Sequence, residues 1–317
     1  MKDEKLPASE RRDDASDGGG LRRLSSAIVL GVASVLVVVK LWGWFVTDSV
    51  ALLTSAADAA VDALASLATF IGVRYADRPA NRHYRFGHGK GEALAAFTQG
   101  ILLAGTGLAL GAVSVERLIF PAPLSEIETG LWIIVGSLVV AGALTVMQSF
   151  VVSRTKSTAI AADRVHYLTD VVVNVAVLVA FVVTQLTGWD RTDPAFAVVI
   201  AVYMMWNAWR IAQDASRQLL DRELPRGRRD EIEAAALACT GARAIHDLRT
   251  RDAGDRVFIE FHLEVDGDIS VHDGHAIVDA AENAVAALFP DGSEVIGHLE
   301  PAGIVDDRLD DRVHQNS

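Results

Sequence analysis

One cysteine, Cys239, stands in 317 residues, so the chain can build neither an internal disulfide framework nor a thiolate metal site. The residue reads as a small apolar filler on a helix. Charge is also scarce, 22% against 51% hydrophobic residues, and the mean hydropathy of +0.28 is one that soluble domains rarely carry. Lysine is missing altogether after residue 213. Residues 214–317 hold 11 arginines and 23 acids, whereas residues 1–213 balance 18 basic against 18 acidic side chains, so the whole net charge of −12 lies in the last third. An acidic domain of this kind repels phosphate backbones and concentrates cations, which excludes nucleic acid as a natural partner.

What is abundant is apolar residue in runs of about 20, the length a helix needs to cross a bilayer. The first residues (1–21) are polar and Gly-ended and read as a disordered tail rather than a signal peptide, because so many acids precede the apolar run. Six membrane segments follow, Leu24–Val46, Val50–Val73, Glu92–Ile119, Gly130–Val152, Ala159–Leu186 and Pro194–Ile211, within a transport domain expected over residues 22–213. Basic residues cluster in the tail (Arg22, Arg23), the second loop (Arg74, Arg78, Arg82, Arg85, Lys90) and the fourth (Arg154, Lys156, Arg164). The first loop has none, and the third and fifth have one each, Arg117 and Arg191. The positive-inside rule then predicts a multi-pass protein of the cell (inner) membrane with both termini in the cytoplasm.

Beyond the last span the pattern is that of a soluble domain over residues 214–303, followed by an acidic tail, 304–317. A helix is expected over Asp230–Cys239 and strands over Ala244–Arg251 and Arg256–Val265. In the second strand Val257, Ile259, Phe261, Leu263 and Val265 share one apolar face at period two, opposite Phe258, Glu260, His262 and Glu264. Ser270-Val-His-Asp273 reads as a capping box opening a helix to Leu288, and Glu294–Glu300 as a third strand. This αββαβ order predicts a small two-layer α+β domain, so the fold class is an α-helical membrane protein of six transmembrane helices with a C-terminal α+β metal-binding domain.

Ionisable residues stand inside the apolar segments. The second segment carries Asp58 and Asp62, the fifth His166 and Asp170, and each pair is spaced i, i+4 on one helical face. Packed together, the two helices would offer three carboxylates and one imidazole, a four-ligand set suited to tetrahedral Zn²⁺. As mere architecture the acids are costly, about 2.5–3.5 kcal/mol each near mid-membrane, and Lys40 on the first segment lies away from any paired acid. A proton relay without metal is the alternative use of such residues. Six of the nine histidines fall in the acidic third, where His246, His262, His275 and His298, with Glu300, make a second candidate metal set. His262 lies on the polar face of its strand, His298 and Glu300 share a face of theirs, and His272 and His314 read as solvated.

Asp58-xxx-Asp62, then Arg85-Phe-Gly-His-Gly-Lys-Gly-Glu92, then His166-xxx-Asp170 on the fifth of six spans resembles the cation diffusion facilitator family, and within it the bacterial FieF/YiiP-type zinc and iron exporters. His246-Asp-Leu-Arg-Thr-Arg251 and Val295-Ile-Gly-His-Leu-Glu-Pro301 match that branch's C-terminal domain, and the similarity covers about residues 22–303. The resemblance implies a homodimer working by alternating access, with transport ligands Asp58, Asp62, His166 and Asp170. It also implies a binuclear site of His246, His262, His275, His298 and Glu300 at the cytoplasmic dimer interface, and a charge interlock of Lys90 with Asp221 between protomers. In the second loop the chain departs from the branch: Asn81 stands for an Asp and Tyr84 for a His. A degenerate loop site of His88 and His83 is what remains, and a structural hinge turned by Gly87 and Gly89 is the expected use of the loop. Glu300 likewise replaces an Asp.

Together these features predict a secondary transporter exporting a divalent cation, Zn²⁺ foremost with Fe²⁺, Cd²⁺ and Mn²⁺ also open, in exchange for protons. The rival classes are a membrane-anchored metal sensor, a metal uniporter without proton coupling, and an intramembrane aspartyl hydrolase. The hydrolase would need its two aspartates on different helices.

Overall fold

The computed structural model describes residues 8–47, 50–120, 127–187, 191–290, 292–303, 308, 309 and 312. The chain divides into two compact units, residues 1–216 and 217–317. The first is built of long helices: α1 (Ala8–Thr47), α2 (Val50–Ala76), α3 (Gly91–Ile119), α4 (Ile127–Thr155), α5 (Thr158–Thr187) and α6 (Thr192–Leu219). Among the described residues, all of these helices except α5 contain apolar windows long enough to span a bilayer. The 30-residue α5 carries Asp163, Arg164, His166 and Asp170 in its first half, and its uninterrupted apolar run begins beyond them. The expected segments match these helices to within a few residues, except that α1 begins sixteen residues before Leu24 and α6 runs eight residues past Ile211.

Residues 8–21, expected as tail, instead continue α1 as helix. Once the apolar turns have paid for nucleation, each added residue gains a hydrogen bond, and Ala8, Glu10, Arg11 and Arg12 favour the helix. The Arg23 side chain also binds the Gly19 carbonyl (3.2 Å). Residues 1–7 lie outside the described residues. Asp77-Arg78-Pro79 stops α2, because the residue before proline is driven out of the α region. The Ser157 hydroxyl opens α5 by accepting from the Ile160 N–H (3.3 Å).

Close packing rests on small residues. A Cβ on Gly72 of α2 would lie 2.4 Å from the Ala95 Cβ of α3, so glycine alone permits that approach. On α3, a Cβ at Gly100 would lie 3.2 Å from the Ala208 carbonyl oxygen of α6, a tight contact that a small residue relieves. Charged side chains tie one end of the unit together. Arg22 pairs with Asp77 (2.6 Å) and Glu92 (3.1 Å), and Glu92 accepts from the Ser157 hydroxyl (2.5 Å), joining α1, α3 and the starts of α5 and the second loop. Glu92 is buried, so losing Arg22 would strand its charge.

The second unit follows the expected order: α7 (Arg226–Leu237), β1 (Ala244–Asp252), β2 (Val257–Val265), α8 (Val271–Ala286) and β3 (Ser293–Pro301). The sheet order is β1-β2-β3, with β1 antiparallel and β3 parallel to β2, the latter pair joined through α8. Ser270 caps α8 by accepting from the Asp273 N–H (3.1 Å). The apolar face of β2 packs against both helices around Ile232, Phe261, Leu263, Val278 and Val285, a core of its own. Phe258, on the opposite face, is also buried, under the Arg251 guanidinium at 4.9 Å. Cys239 lies just past the end of α7 rather than on it, half-buried against the same core.

Candidate metal centres

Helices α2 and α5 meet where their ionisable pairs lie. The Asp62 carboxylate is 3.0 Å from His166 Nε2, and Asp170 Oδ2 is 3.8 Å from the same nitrogen. These spacings bracket the edge of about 3.3 Å expected of a tetrahedron with bonds of 2.0–2.1 Å. The Tyr167 hydroxyl and Ser66 (3.0 Å apart) clasp the two helices one turn away. The fourth expected ligand, Asp58, stands one turn back on a more exposed stretch of α2, and its carboxylate is not among the three that converge. Lys40 is nearer than the sequence suggested: its ammonium binds the Ser55 carbonyl of α2 (3.2 Å), three residues before Asp58.

Beside this cluster is a carboxylate that the sequence reading passed over. Asp163 is fully buried on α5 and held by Gln99 of α3 and Gln148 of α4. Its spacing of three residues to His166 was the available signal, blurred because Asp163 sits near the end of a span where polar residues are ordinary.

In the second loop the structure does not bring His83 and His88 together as ligands. His88 is buried, its Nδ1–H donating to the Arg78 carbonyl (3.2 Å) and its Nε2 accepting from Asn81 (3.4 Å), between the rings of Tyr75 and Tyr84. His83 is exposed, and its backbone N–H is held by the Asn81 carbonyl oxygen (2.8 Å). Asn81 thus organises the turn, a role its amide fills where a carboxylate would bind metal. Gly87 takes the left-handed conformation (φ 84°) the loop requires; Gly89, also expected to set the turn, does not. A Zn²⁺ titration of His83→Ala should count the same number of tight equivalents as wild type, and loss of one would show that the loop holds an ion. His88→Ala should lower stability by about 1–3 kcal/mol in thermal melting, because a buried ring and its two hydrogen bonds are lost.

In the C-terminal unit three histidines stand abreast: His246 pairs with His262 and His262 with His298 across the sheet. Glu300 reaches back over this row, 3.0 Å from His246 Nε2, 2.7 Å from His262 Nδ1 and 3.6 Å from His298 Nε2. His275 is not brought into the row; it is exposed on α8, 3.7 Å from Asp279. Two further carboxylates do join. Glu264 lies 3.7 Å from His246 Nε2 and pairs with Arg308 (2.6 Å). Asp247 shares with His246 and His262 a set of ligand atoms within 4.8 Å of one another, and its carboxylate accepts from the Leu309 N–H (2.9 Å). Strand alternation alone would turn Asp247 away from His246. A bulge after His246, with Asp247 at φ 50°, breaks that alternation and turns the carboxylate back. Arg308 and Leu309, within the segment expected as an acidic tail, therefore dock on this face.

Asp221, with φ 55°, lies 3.8 Å from Arg251, and Lys90 stands at the position immediately before α3.

The description "Cation efflux transmembrane domain" matches residues 26–220 and "Cation efflux protein, cytoplasmic domain" matches residues 224–302. The chain belongs to the cation efflux, or cation diffusion facilitator, family. It is 38% identical over 287 residues to the cation-efflux pump FieF of Klebsiella pneumoniae, covering 90% of this chain and 95% of that one. It is 37% identical over the same length to FieF of Salmonella choleraesuis. Among solved structures, the zinc form of CzrB is 39% identical over 27% of this chain and 99% of its own, with a TM-score of 0.25. As a cation diffusion facilitator the chain is a multi-pass membrane protein that transports metal cations, and it is not an enzyme.

Proposed function

We propose that this chain exports a divalent transition metal ion, Zn²⁺ foremost, from the cytoplasm in exchange for protons, working as a homodimer by alternating access. The observation that carries the proposal is the convergence of Asp62, His166 and Asp170 from two helices at tetrahedral spacing. In this reading Asp58 swings in from the adjacent turn as fourth ligand. Nitrogen and oxygen donors without sulfur suit Zn²⁺ and leave Fe²⁺, Cd²⁺ and Mn²⁺ as competing cargo.

Exchange follows from the ligands themselves. Metal binds carboxylates and neutral imidazole, so loading releases protons, and protonation on the far side expels the ion. The protonated site then returns. Rocking of helices about a nearly fixed site gives each side access in turn.

Both termini are placed in the cytoplasm by the loop charges, which sets the C-terminal cluster where cytoplasmic metal can load it. His246, His262, His298 and Glu300 hold metal there, with His275 entering at the dimer interface and Lys90 with Asp221 locking the protomers. Metal on the cluster should raise the melting temperature of the C-terminal unit, by about 2.7 kcal/mol of stabilisation at a hundredfold excess over Kd. A fragment from Arg226 to Gly303 whose melting ignores Zn²⁺ would show these histidines to be surface residues only.

Radiolabelled Zn²⁺ uptake into proteoliposomes of the purified chain tests the whole. Transport is expected; a sensor merely anchored by its helices would bind Zn²⁺ and move none.

A further inference from the structure

Asp163 is a buried acid for which the transport scheme has no use. It lies three residues before His166 and seven before Asp170, so the three share one face of α5. Gln99 donates to its Oδ1 (2.6 Å) and Gln148 to its Oδ2 (2.5 Å). Gln99 also reaches Thr69 (3.2 Å) and the Ala65 carbonyl (3.3 Å) on α2. One carboxylate thereby fixes α5 to α3 and α4 directly and to α2 through an amide. All three side chains are 1% exposed.

A carboxylate that accepts at both oxygens is the ionised, acceptor-only form, and amides donate to it without cancelling its charge. A fixed negative charge one helical turn from a cation site, in a medium of low polarisability, adds to the attraction for a dication. We propose that Asp163 is a positioning residue of the transport site: it pins α5 so that His166 meets Asp62, and its charge holds the divalent ion without ligating it. This rests on the transport-site reading above.

The neighbouring orphans suggest how to separate charge from geometry. Gln99 Oε1 and Gln148 Oε1 are buried without hydrogen-bond partners among the described residues. In Asp163→Asn, one glutamine can turn over so that this oxygen accepts from the new amide, while the other still donates to the remaining carbonyl. Shape and hydrogen bonds survive, and only the charge is lost.

The test is Zn²⁺ binding to the full-length protein in detergent, with His246→Ala/His262→Ala silencing the C-terminal cluster, alongside melting without metal and the KM of Zn²⁺ flux. Asp163→Asn should weaken binding and raise KM about 10–100-fold, the range for outer partners of metal ligands, with the metal-free melting temperature unchanged. Affinity within twofold of wild type, or a loss matched by a collapse in metal-free stability, overturns the proposal. Should the single variant fail to assemble, Asp163→Asn/Gln148→Glu, which keeps one carboxylate and one amide in the same contact, is read instead. Binding within about tenfold of wild type then supports the proposal, and loss of binding in a normally melting protein overturns it. Asp62→Ala serves as control: retained binding there removes the transport-site reading itself, whereas its loss beside a silent Asp163→Asn removes this inference alone.

Discussion

Replacing Asp62 or Asp170 with alanine is expected to reduce metal flux by about 100-fold or more, beyond the 10–100-fold typical of outer partners, while the protein still inserts and assembles. Each carboxylate lies within 4 Å of His166 Nε2, so removal breaks the three-ligand cluster rather than trimming its edge. Folding should not suffer. An acid within the bilayer costs about 2.5–3.5 kcal/mol to insert, and alanine removes that cost. Uptake of radiolabelled Zn²⁺, set against melting and size-exclusion profiles of the same samples, separates the two effects. Near-normal, metal-dependent flux in either variant would remove these residues from the transport site.

Flux is expected to depend as strongly on protons as on metal. Asp58, Asp62, His166 and Asp170 bind either a cation or protons, so for each proton displaced the apparent affinity should fall about tenfold per pH unit on the acid side. The sign differs between compartments. Acid in the liposome lumen protonates the release side and should speed uptake, whereas acid outside competes with loading and should slow it. The slope of log Kd against pH counts the protons exchanged. Uptake that follows the metal gradient and ignores lumenal pH would leave a uniporter in place of the antiporter.

Much of this was legible along the chain because it is local. Helix α2 could be drawn from its apolar run to within three residues of its end, and the start of α8 from the capping box at Ser270. The i, i+4 spacing put Asp62 beside Asp58 and His166 beside Asp170 because the helical pitch requires it. Alternation along β2 placed His262 opposite Phe261, as the buried and polar faces now show. Local reasoning failed where a side chain leaves its periodic direction or where the partner is distant in sequence. The bulge at Asp247 returns a carboxylate that alternation had sent away, and His275, grouped with the other histidines on composition, stands apart on α8. Lys40 was judged distant from the acids because only packing brings α1 against α2.

Six membrane helices, the αββαβ order of the C-terminal domain and the faces on which the ligand candidates lie could all be read along the chain. Periods of 3.6 and 2 are properties of single elements and need no neighbour. Tertiary structure alone decided which faces meet. It set Asp62 against His166 across 104 residues and left Asp58 outside the contact. It also brought Gln99 and Gln148 onto Asp163, making a pinned charge of a residue that the sequence reading passed over. Such pairings depend on glycine-lined contacts between helices, as at Gly72, and on strand register across the sheet. Both are settled by the packing of many distant residues at once, so no stretch of the chain carries them alone.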